Sequence, residues 1–195
     1  MLLGSHNSWS YLSPKRWWMW LIKFTAKCQS CDIQTQYIKY GVRCFDLRIG
    51  FIDGYPCLTH GKVIYKYTLA QIHSDLKWLN DQKDAYVRVI HEARDKKRYT
   101  NINVYLFKSF CHWCEQDYPN IHFWCGRNLY NWKYDYVFNL GNSSEPSCEE
   151  AYSSVCSPKK IDDWWPWLFA KRKNHLTLQR GTKEDILLID YVNIK

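Results

Sequence analysis

Near its end the chain reads Ile186-Leu187-Leu188-Ile189-Asp190-Tyr191-Val192, an apolar run that is interrupted only by Asp190. Such a run is typical of a strand that is buried on both faces, as the strands of parallel sheets are. Parallel sheets are found in chains whose strands alternate with helices. The run therefore favours the α/β class if the rest of the chain shows this alternation.

The preceding residues do show alternating strand and helix patterns. We expect strands at 2–4, 42–51 and 86–91, helices at 32–40, 69–81 and 100–117, and a tight turn at Asp53-Gly54. Aromatic segments follow at 121–126 and 132–140, and the polar residues 141–160 predict a long surface loop. These patterns predict an open sheet or a barrel. A barrel of 195 residues would be at or below the usual lower limit of about 200.

The composition excludes several classes of protein. With 46% hydrophobic and 24% charged residues, the chain is neither disordered nor a collagen-like or coiled-coil rod. No repeat or Gly/Ser-rich linker divides it, so we treat residues 1–195 as one domain. No apolar run approaches the roughly 18 residues of a membrane-spanning helix, and the first residues lack the pattern of a secretory signal. We therefore expect a leaderless or cytoplasmic protein, and its nine cysteines, an odd number, favour a reducing compartment.

Charge and aromatic residues indicate an anionic partner. Lys and Arg number 27 against 19 Asp and Glu, and this surplus attracts nucleic acid, acidic lipid or a phosphorylated substrate. Tryptophans accompany basic residues in two places, with Trp17, Trp18 and Trp20 beside Lys15-Arg16, and Trp164 and Trp165 before Lys171-Arg172-Lys173. This combination is typical of a lipid interface, and packing in the core or against a protein is the alternative. Nucleic acid is the least favoured partner because no nucleic-acid-binding motif is present.

Residues suited to acid–base chemistry lie where the predicted strands end. Gly4-Ser5-His6-Asn7-Ser8 follows the first strand, Arg43 to Arg48 lie on the second, and His60 follows the tight turn. In a closed parallel barrel the first and last strands are neighbours, so Asp190 could orient the ring of His6. Two histidines, two carboxylates and an arginine would then lie together at one end of the barrel.

These segments resemble, in the same order, the motifs of the phosphatidylinositol-specific phospholipase C X-domain superfamily. The motifs are Gly4-Ser5-His6-Asn7-Ser8, Gly41-Val42-Arg43-Cys44-Phe45-Asp46-Leu47-Arg48, Asp53-Gly54, His60-Gly61 and Ile189-Asp190-Tyr191-Val192-Asn193. The resemblance covers about 1–95 and 184–193. It implies a distorted or incomplete TIM (β/α) barrel of the phospholipase C-like phosphodiesterase type, which would explain the short chain.

The resemblance also implies a mechanism. His6 would be the general base that takes a proton from a substrate hydroxyl next to the phosphodiester, and Asp190 would hold its ring in the required tautomer. His60 would be the general acid that protonates the leaving alkoxide, and Arg48 would hold the phosphate. The products would be a cyclic phosphate and an alcohol, and the substrate phosphatidylinositol or a related phospholipid diester.

Two positions distinguish branches of this superfamily. The calcium-dependent animal enzymes carry an acidic metal ligand where this chain has Arg48, whose guanidinium would replace the metal electrostatically. The chain therefore resembles the metal-independent bacterial-type branch, and we expect no cofactor. That branch usually has Asp after the first histidine, where this chain has Asn7. Asn7 can hydrogen-bond His60 but cannot stabilise its charged form as a carboxylate would, so we expect a lower rate.

Other assignments are less specific. His91 and Glu92 end a strand where the superfamily places substrate-contacting residues, and Arg127 follows an aromatic strand in a similar location. Asp46 is placed with the catalytic group, and an ion pair with Arg43 inside the barrel is the alternative.

Three further hypotheses remain beside the metal-independent enzyme. Asn7 and the short chain are compatible with a weak or inactive barrel that serves as a binding or structural module, viral or cellular. A metal-dependent phosphodiesterase is a second possibility. Cys28-Gln-Ser-Cys31 and Cys111-His-Trp-Cys114, with Cys125 nearby, raise a third, a structural zinc site, although their separation is far from zinc-ribbon spacing.

Overall fold

A computed structural model describes residues 1–92, 100–128, 134–138, 146–153 and 164–194. Within these ranges the strands are β1 Leu2–Ser5, β2 Val42–Ile52, β3 Tyr55–His60, β4 Val63–Ile64, β5 Tyr86–Glu92, β6 His122–Asn128, β7 Tyr134–Phe138, β8 Cys148–Ala151 and β9 Ile186–Ile189. The helices are α1 Ile33–Tyr40, α2 Leu69–Gln82, α3 Asn101–Asp117 and α4 Pro166–Arg180. Two short 3-10 helices, Trp17–Leu21 and Lys23–Thr25, lie between β1 and α1.

The strands form one mixed sheet around a parallel centre. The parallel strands follow the order β6-β5-β2-β1-β9-β8, so the first and last strands of the chain are neighbours, as predicted. At one edge β7 pairs antiparallel with β6. The long β2 turns back at Asp53-Gly54 into β3, which then pairs with β4. The chain is therefore a mixed α/β protein.

A contact between distant strands shows that the sheet is curled. Arg88 on β5 donates hydrogen bonds to Glu150 on β8 and to Tyr152 just after it. In a flat sheet β5 and β8 would be four strand spacings apart, about 19 Å, which is beyond the reach of an arginine side chain. The sheet therefore bends into a half-barrel. In the described part of the chain no pairing joins β7 to β8, so the curl is compatible with an incomplete barrel.

The alternation of side chains along β2 separates two environments. Phe45, Leu47 and Ile49 lie in the main core between the sheet and the helices. Cys44 packs in a smaller apolar cluster inside the curl, and Asp46 and Arg48 follow it on the same face. The inner face is therefore apolar near the beginning of the strands and polar near their carboxyl ends.

The helices cover the outer face of the sheet. In α2 the buried residues Ile72, Leu76 and Leu79 form a stripe at helical spacing, and the capping box of Thr68 and Gln71 fixes where the helix begins. Gly41, with a φ of 73°, ends α1 in the left-handed conformation and turns the chain directly into β2. In the described ranges no helix has the length and apolarity needed to cross a membrane.

Two expectations about elements need correction. The segment 141–160, predicted as a loop, contains β8, whose four residues are only half-buried and carry no clear alternating pattern. The last strand ends at Ile189, so Asp190 follows the strand instead of lying within it. The aromatic segment 132–140 contains β7, Tyr134–Phe138, of which only the backbone is described.

Candidate active site

His6 and Asp190 follow neighbouring strands. Ser5 on β1 is paired with Ile189 on β9, so the next residue of each strand emerges at the same edge of the sheet. His6 Nδ1 lies 2.7 Å from Asp190 Oδ1, and both side chains are fully buried. The second carboxylate oxygen accepts a hydrogen bond of 3.0 Å from the Ser153 N–H. The structure thus brings together the pair that the sequence predicted.

The Asp190 carboxylate determines which nitrogen of His6 is available. Because Nδ1–H donates to the carboxylate, Nε2 carries the lone pair of the neutral ring. Nε2 is buried, has no hydrogen-bond partner among the described residues, and lies 4.0 Å from Asp46 Oδ2. Burial and then the Arg48 guanidinium lower the pKa of His6 well below its ordinary value, although Asp190 opposes them. His6 is therefore a neutral base at neutral pH, with Nε2 able to accept a proton.

Two buried side chains that the sequence analysis missed hold His6 in place. The Tyr152 ring stacks on the His6 ring, with 3.6 Å between centroids and 7° between planes. Gln29 Nε2 donates to the carbonyls of His6, at 3.1 Å, and Ile189, at 3.0 Å, while its Oε1 accepts from the Val192 N–H. Tyr152 belongs to no recognisable motif, and Gln29 lies in a CxxC motif in which only the cysteines attract attention, so the sequence carries no signal for either side chain.

A buried charge network lies below His6. Asp46 accepts hydrogen bonds from Arg48 Nε at 2.7 Å, from Arg88 Nε at 3.0 Å and from the Asn7 backbone N–H at 2.9 Å. Burial disfavours the charged form of Asp46, but the two guanidiniums and the Asn7 N–H outweigh it and lower the pKa to about 2. Arg48 also donates from a terminal nitrogen to Glu92 Oε1 at 2.8 Å. Asp46 is thus a permanent anion that positions Arg48.

Arg88 is a central member of this network that the sequence analysis did not identify. It lies directly opposite Asp46 in the β2–β5 register and connects that carboxylate to Glu150 and Tyr152 across the curl. A signal was present, because Tyr86-Val87-Arg88-Val89 places a charged residue inside an alternating apolar strand. Such a residue needs a buried partner, since an unpaired charge inside a protein is very costly.

His60 lies at the end of β3 and faces His6. The two rings are 5.3 Å apart and nearly perpendicular, and His60 is only 6% exposed. His60 Nδ1 lies 3.0 Å from the Ala26 carbonyl oxygen, which also accepts from the Tyr65 hydroxyl and, at 3.4 Å, from Asn7 Nδ2. The amide of Asn7 thus shares an acceptor with His60. A carbonyl dipole stabilises a protonated imidazole less than a carboxylate does.

The described residues separate the two CxxC pairs that raised the hypothesis of a structural zinc site. Cys28 is buried beside the two histidines, with its Sγ 3.8 Å from His60 Nδ1, and burial raises the pKa of its thiol well above the ordinary value. Cys31 is only half-buried. Cys111, Cys114 and Cys125 lie in the main apolar core behind the sheet. In the described part of the chain the two CxxC pairs are therefore in different environments, because Cys28 lies beside the histidines whereas Cys111 and Cys114 lie in the core on the other side of the sheet.

The alternative in which Arg43 forms an ion pair with Asp46 is wrong. Arg43 Nε donates to Asp84 Oδ2 at 2.8 Å, and its guanidinium lies over the Tyr37 ring at 3.9 Å, on the partly exposed outer side. The physical reason is the pleat of β2, in which odd-numbered and even-numbered residues point to opposite faces. Asp46 pairs instead with Arg48 and Arg88.

His91 is not brought to the site. Its ring stacks on Phe107 of α3, with 5.0 Å between centroids, on the outer face of the sheet. Consecutive residues of a strand face opposite sides, so His91 and Glu92 cannot both point into the curl, and Glu92 is the one that does. The backbone of Arg127 in β6 pairs with that of His91 in β5, but the side chain of Arg127 lies outside the described residues.

The tryptophans expected at a membrane interface are on the surface. Trp17 is 80% exposed, Trp20 55% and Trp164 59%, so these rings are not part of the core. The two segments adjoin, because the Phe24 ring lies 5.7 Å from the Trp165 ring. We call this surface the aromatic patch. It comprises Trp17, Trp18, Trp20, Phe24, Trp164 and Trp165.

Comparison of the chain with protein-family models and with curated proteins finds no match. What the site can do is therefore inferred from its own chemistry. It combines a neutral imidazole oriented by a carboxylate, a second imidazole facing the first, and a guanidinium fixed by two carboxylates. Such a set can take a proton from one group of a bound anionic molecule and give a proton to another group of the same molecule.

Proposed function

We propose that the protein is a phosphodiesterase of the phospholipase C-like type that cleaves phosphatidylinositol or a related phospholipid diester without a metal ion. The observation that carries this proposal is the pair of facing imidazoles beside a fixed guanidinium, in which His6 Nε2 has no hydrogen-bond partner within the described ranges. The motif order described above and the curled parallel sheet support the same conclusion.

In this mechanism His6 Nε2 takes the proton of a hydroxyl that neighbours the phosphodiester. The hydroxyl oxygen bonds to phosphorus, and the bond from phosphorus to the leaving oxygen breaks. His60, in its protonated form, gives a proton to that oxygen. The products are a five-membered cyclic phosphate and an alcohol, which for a phospholipid is diacylglycerol. The two histidines thereby exchange protonation states and reset through solvent.

Arg48 supplies the charge complementarity that phosphate needs. Its Nε binds Asp46 and a terminal nitrogen binds Glu92, so the guanidinium is held in one orientation before substrate arrives. Prearranged positive charge stabilises the phosphorane-like transition state because no reorganisation is needed when negative charge develops. Asp46 and Glu92 therefore act as positioning residues for Arg48.

The aromatic patch supports a lipid substrate. Lysines accompany its exposed rings, since Lys23 Nζ lies 4.7 Å above the Trp20 ring. Next to the patch, Lys171 Nζ lies 5.1 Å above the ring of Trp167, which is 5.9 Å from the Trp165 ring. Indole rings and ammonium groups together suit the headgroup region of an anionic bilayer. We propose that this surface brings the protein to the membrane that contains its substrate.

A second candidate function is a barrel with little or no turnover that binds phosphodiesters. The observation that favours it is the environment of His60, whose Nδ1 lies 3.0 Å from the Ala26 carbonyl oxygen. A carbonyl at this nitrogen stabilises a protonated ring less than a carboxylate would, and a weak general acid slows departure of the alkoxide.

Phosphorus-31 NMR distinguishes these functions. Phosphatidylinositol vesicles are incubated in EDTA with the unchanged protein, His6→Ala, His60→Ala and the control His175→Ala, which alters an exposed histidine of α4. We expect a cyclic phosphate from the unchanged protein and the control, and none from the other two. Absence of product from every protein would refute the proposed function, and product that forms only after metal is added would indicate a metal-dependent enzyme.

A further inference from the structure

Three side chains with metal-binding atoms meet in the candidate active site. Among the described residues, one ligand atom each of His6, Cys28 and His60 lies within 4.8 Å of the other two, and all three side chains are buried. The Cys28 thiol was considered in the sequence only as part of a CxxC pair. In the structure it faces the two histidines that the proposed mechanism uses.

The surroundings of these residues resemble the outer shell of a metal site. Metal-binding histidines usually donate their second ring N–H to a carboxylate or a backbone carbonyl, which fixes the ring and its tautomer. His6 Nδ1 is held in this way by Asp190 at 2.7 Å, and His60 Nδ1 lies 3.0 Å from the Ala26 carbonyl. His6 Nε2 is buried and finds no hydrogen-bond partner in the part of the chain that the structure describes. Two nitrogen ligands are therefore oriented before any ion binds.

We propose that His6, Cys28 and His60 form a binding site for a thiophilic divalent cation of the Zn²⁺ type. Two imidazoles and a thiolate match the ligand preference of Zn²⁺ and Co²⁺, whereas Ca²⁺ and Mg²⁺ prefer oxygen ligands. Binding displaces the thiol proton to the buffer. Three protein ligands leave one position of a tetrahedral ion for water or a phosphate oxygen.

The geometry and charge of the site permit this. Zinc bonds of about 2.0–2.3 Å place tetrahedral ligand atoms about 3.3–3.7 Å apart, so the three side chains must close by about 1 Å. The ligand atoms of the three residues already lie within 4.8 Å of one another. The buried carboxylates Asp46, Asp190 and Glu92 outnumber the buried guanidiniums Arg48 and Arg88. The surroundings therefore favour an added cation.

The consequence for activity rests on the proposed function. An ion at this site occupies both the general base and the general acid, so it stops the two-histidine reaction instead of assisting it. Micromolar zinc would thus inhibit the diesterase reversibly, and calcium or magnesium would not. The site would make the enzyme sensitive to free zinc through Cys28.

The first test uses a spectroscopic signature that does not depend on turnover. The purified full chain, reduced with a non-chelating phosphine, is titrated with Co²⁺, and the near-ultraviolet thiolate-to-cobalt charge-transfer band is recorded. We expect one Co²⁺ per chain, loss of the band in Cys28→Ser, and retention in the matched control Cys31→Ser. Circular dichroism checks folding, and Cys28→Ala and His6→Ala replace the serine variant if it does not fold.

Zinc inhibition of phosphatidylinositol cleavage gives the second readout. We expect Cys28→Ser to raise the zinc concentration for half-inhibition at least about tenfold relative to its own uninhibited rate, and EDTA to reverse inhibition of the unchanged protein. No charge-transfer band, or a band that depends on Cys31 instead, would overturn the metal site. A Cys28-dependent band in a protein without turnover would support the site while refuting the proposed function. Activation by zinc would overturn the inhibitory role.

Discussion

Among single residues, Asp190 would act on the proposed reaction through His6, which makes its replacement informative. Asp190→Asn keeps the shape of the side chain but removes the charge and the preference for the Nδ1–H tautomer. We expect kcat to fall by roughly 10³–10⁴-fold with little change in KM, because the substrate-binding groups are unaltered. Steady-state kinetics with Asp84→Asn as an exposed control measures this. A kcat close to that of the control would contradict the assigned role of Asp190.

The pH dependence of the reaction should report the state of His6. Burial and the Arg48 guanidinium lower its pKa below 6.5, so the free enzyme keeps a neutral base at pH values where an ordinary histidine is already protonated. We expect kcat/KM to fall on the acidic side with a midpoint below 6.5. An NMR titration of His6, assigned by comparison with His6→Ala, provides the independent pKa. A midpoint above 6.5 would contradict the conclusion that burial and Arg48 outweigh Asp190 in setting the pKa of His6.

Asp46 should make folding sensitive to acid. Its pKa falls from 3.8 to about 2 on folding, so its ionisation stabilises the native state fully above about pH 4. As pH falls from 4 towards 2, about 2 kcal/mol of stability is lost because the unfolded chain takes up the proton first. Urea unfolding at pH 7, 4, 3 and 2 measures this loss. Asp46→Asn should be less stable at pH 7 and should lack this part of the acid dependence. If the variant lost as much stability between pH 4 and pH 2 as the unchanged protein, the low pKa assigned to Asp46 would be refuted.

At the scale of elements, the position of β1 between β2 and β9 depends on Gly4. A Cβ at this position would lie 2.5 Å from Leu188 Cδ2 and 3.2 Å from both Cys44 Cβ and Ile186 Cγ2. We expect Gly4→Ala to destabilise the fold by about 1–3 kcal/mol and to lower activity, because His6 follows β1 directly. Replacing Leu188 by Val in the same chain should restore part of the stability. Urea midpoints of the two single variants and the double variant test this, and additive losses would contradict it.

The elements themselves were predictable where the pattern is long. The alternation of β2 and the helical stripe of α2 extend over enough residues to show their period. β9 was recognisable because its apolar run is continuous. β8 could not be predicted, because four half-buried residues in a polar region carry no such period. The misplacement of His91 had a different cause: the strand was predicted correctly, but its two faces were not distinguished.

At the scale of the whole molecule, the aromatic patch should control membrane binding. Sedimentation with vesicles of neutral phosphatidylcholine, with and without anionic phosphatidylserine, measures this. We expect binding that increases with anionic lipid, and a clear loss in Trp17→Ala/Trp20→Ala because both rings are exposed and their removal does not alter the core. Tyr55→Ala serves as the control, because this ring is exposed and is not part of the aromatic patch. Trp9 would be unsuitable because it is buried. Equal binding by the double variant and the control would refute the membrane role.

The site as a whole was only partly predictable from the sequence. His6 and Asp190 follow the ends of β1 and β9, His60 ends β3 and Arg48 lies on β2, and knowledge of strand order was enough to bring them together. The position of Arg88 depends on the curl of the sheet, and that of Cys28 depends on the path of residues 26–29, which contact His6 and His60. Distances across a curled sheet are not encoded in any local pattern, because they depend on contacts between residues far apart in the chain.

The adjacency of β1 and β9 also has a consequence for biosynthesis. His6 and Asp190 are 184 positions apart in the chain, yet they form one hydrogen-bonded pair. A ribosome must therefore have passed Asp190, and the last strand must have entered between β1 and β8, before the base is oriented. Chains whose synthesis has not passed Asp190 therefore hold no oriented His6 ring, and under the proposed function they have no assembled base.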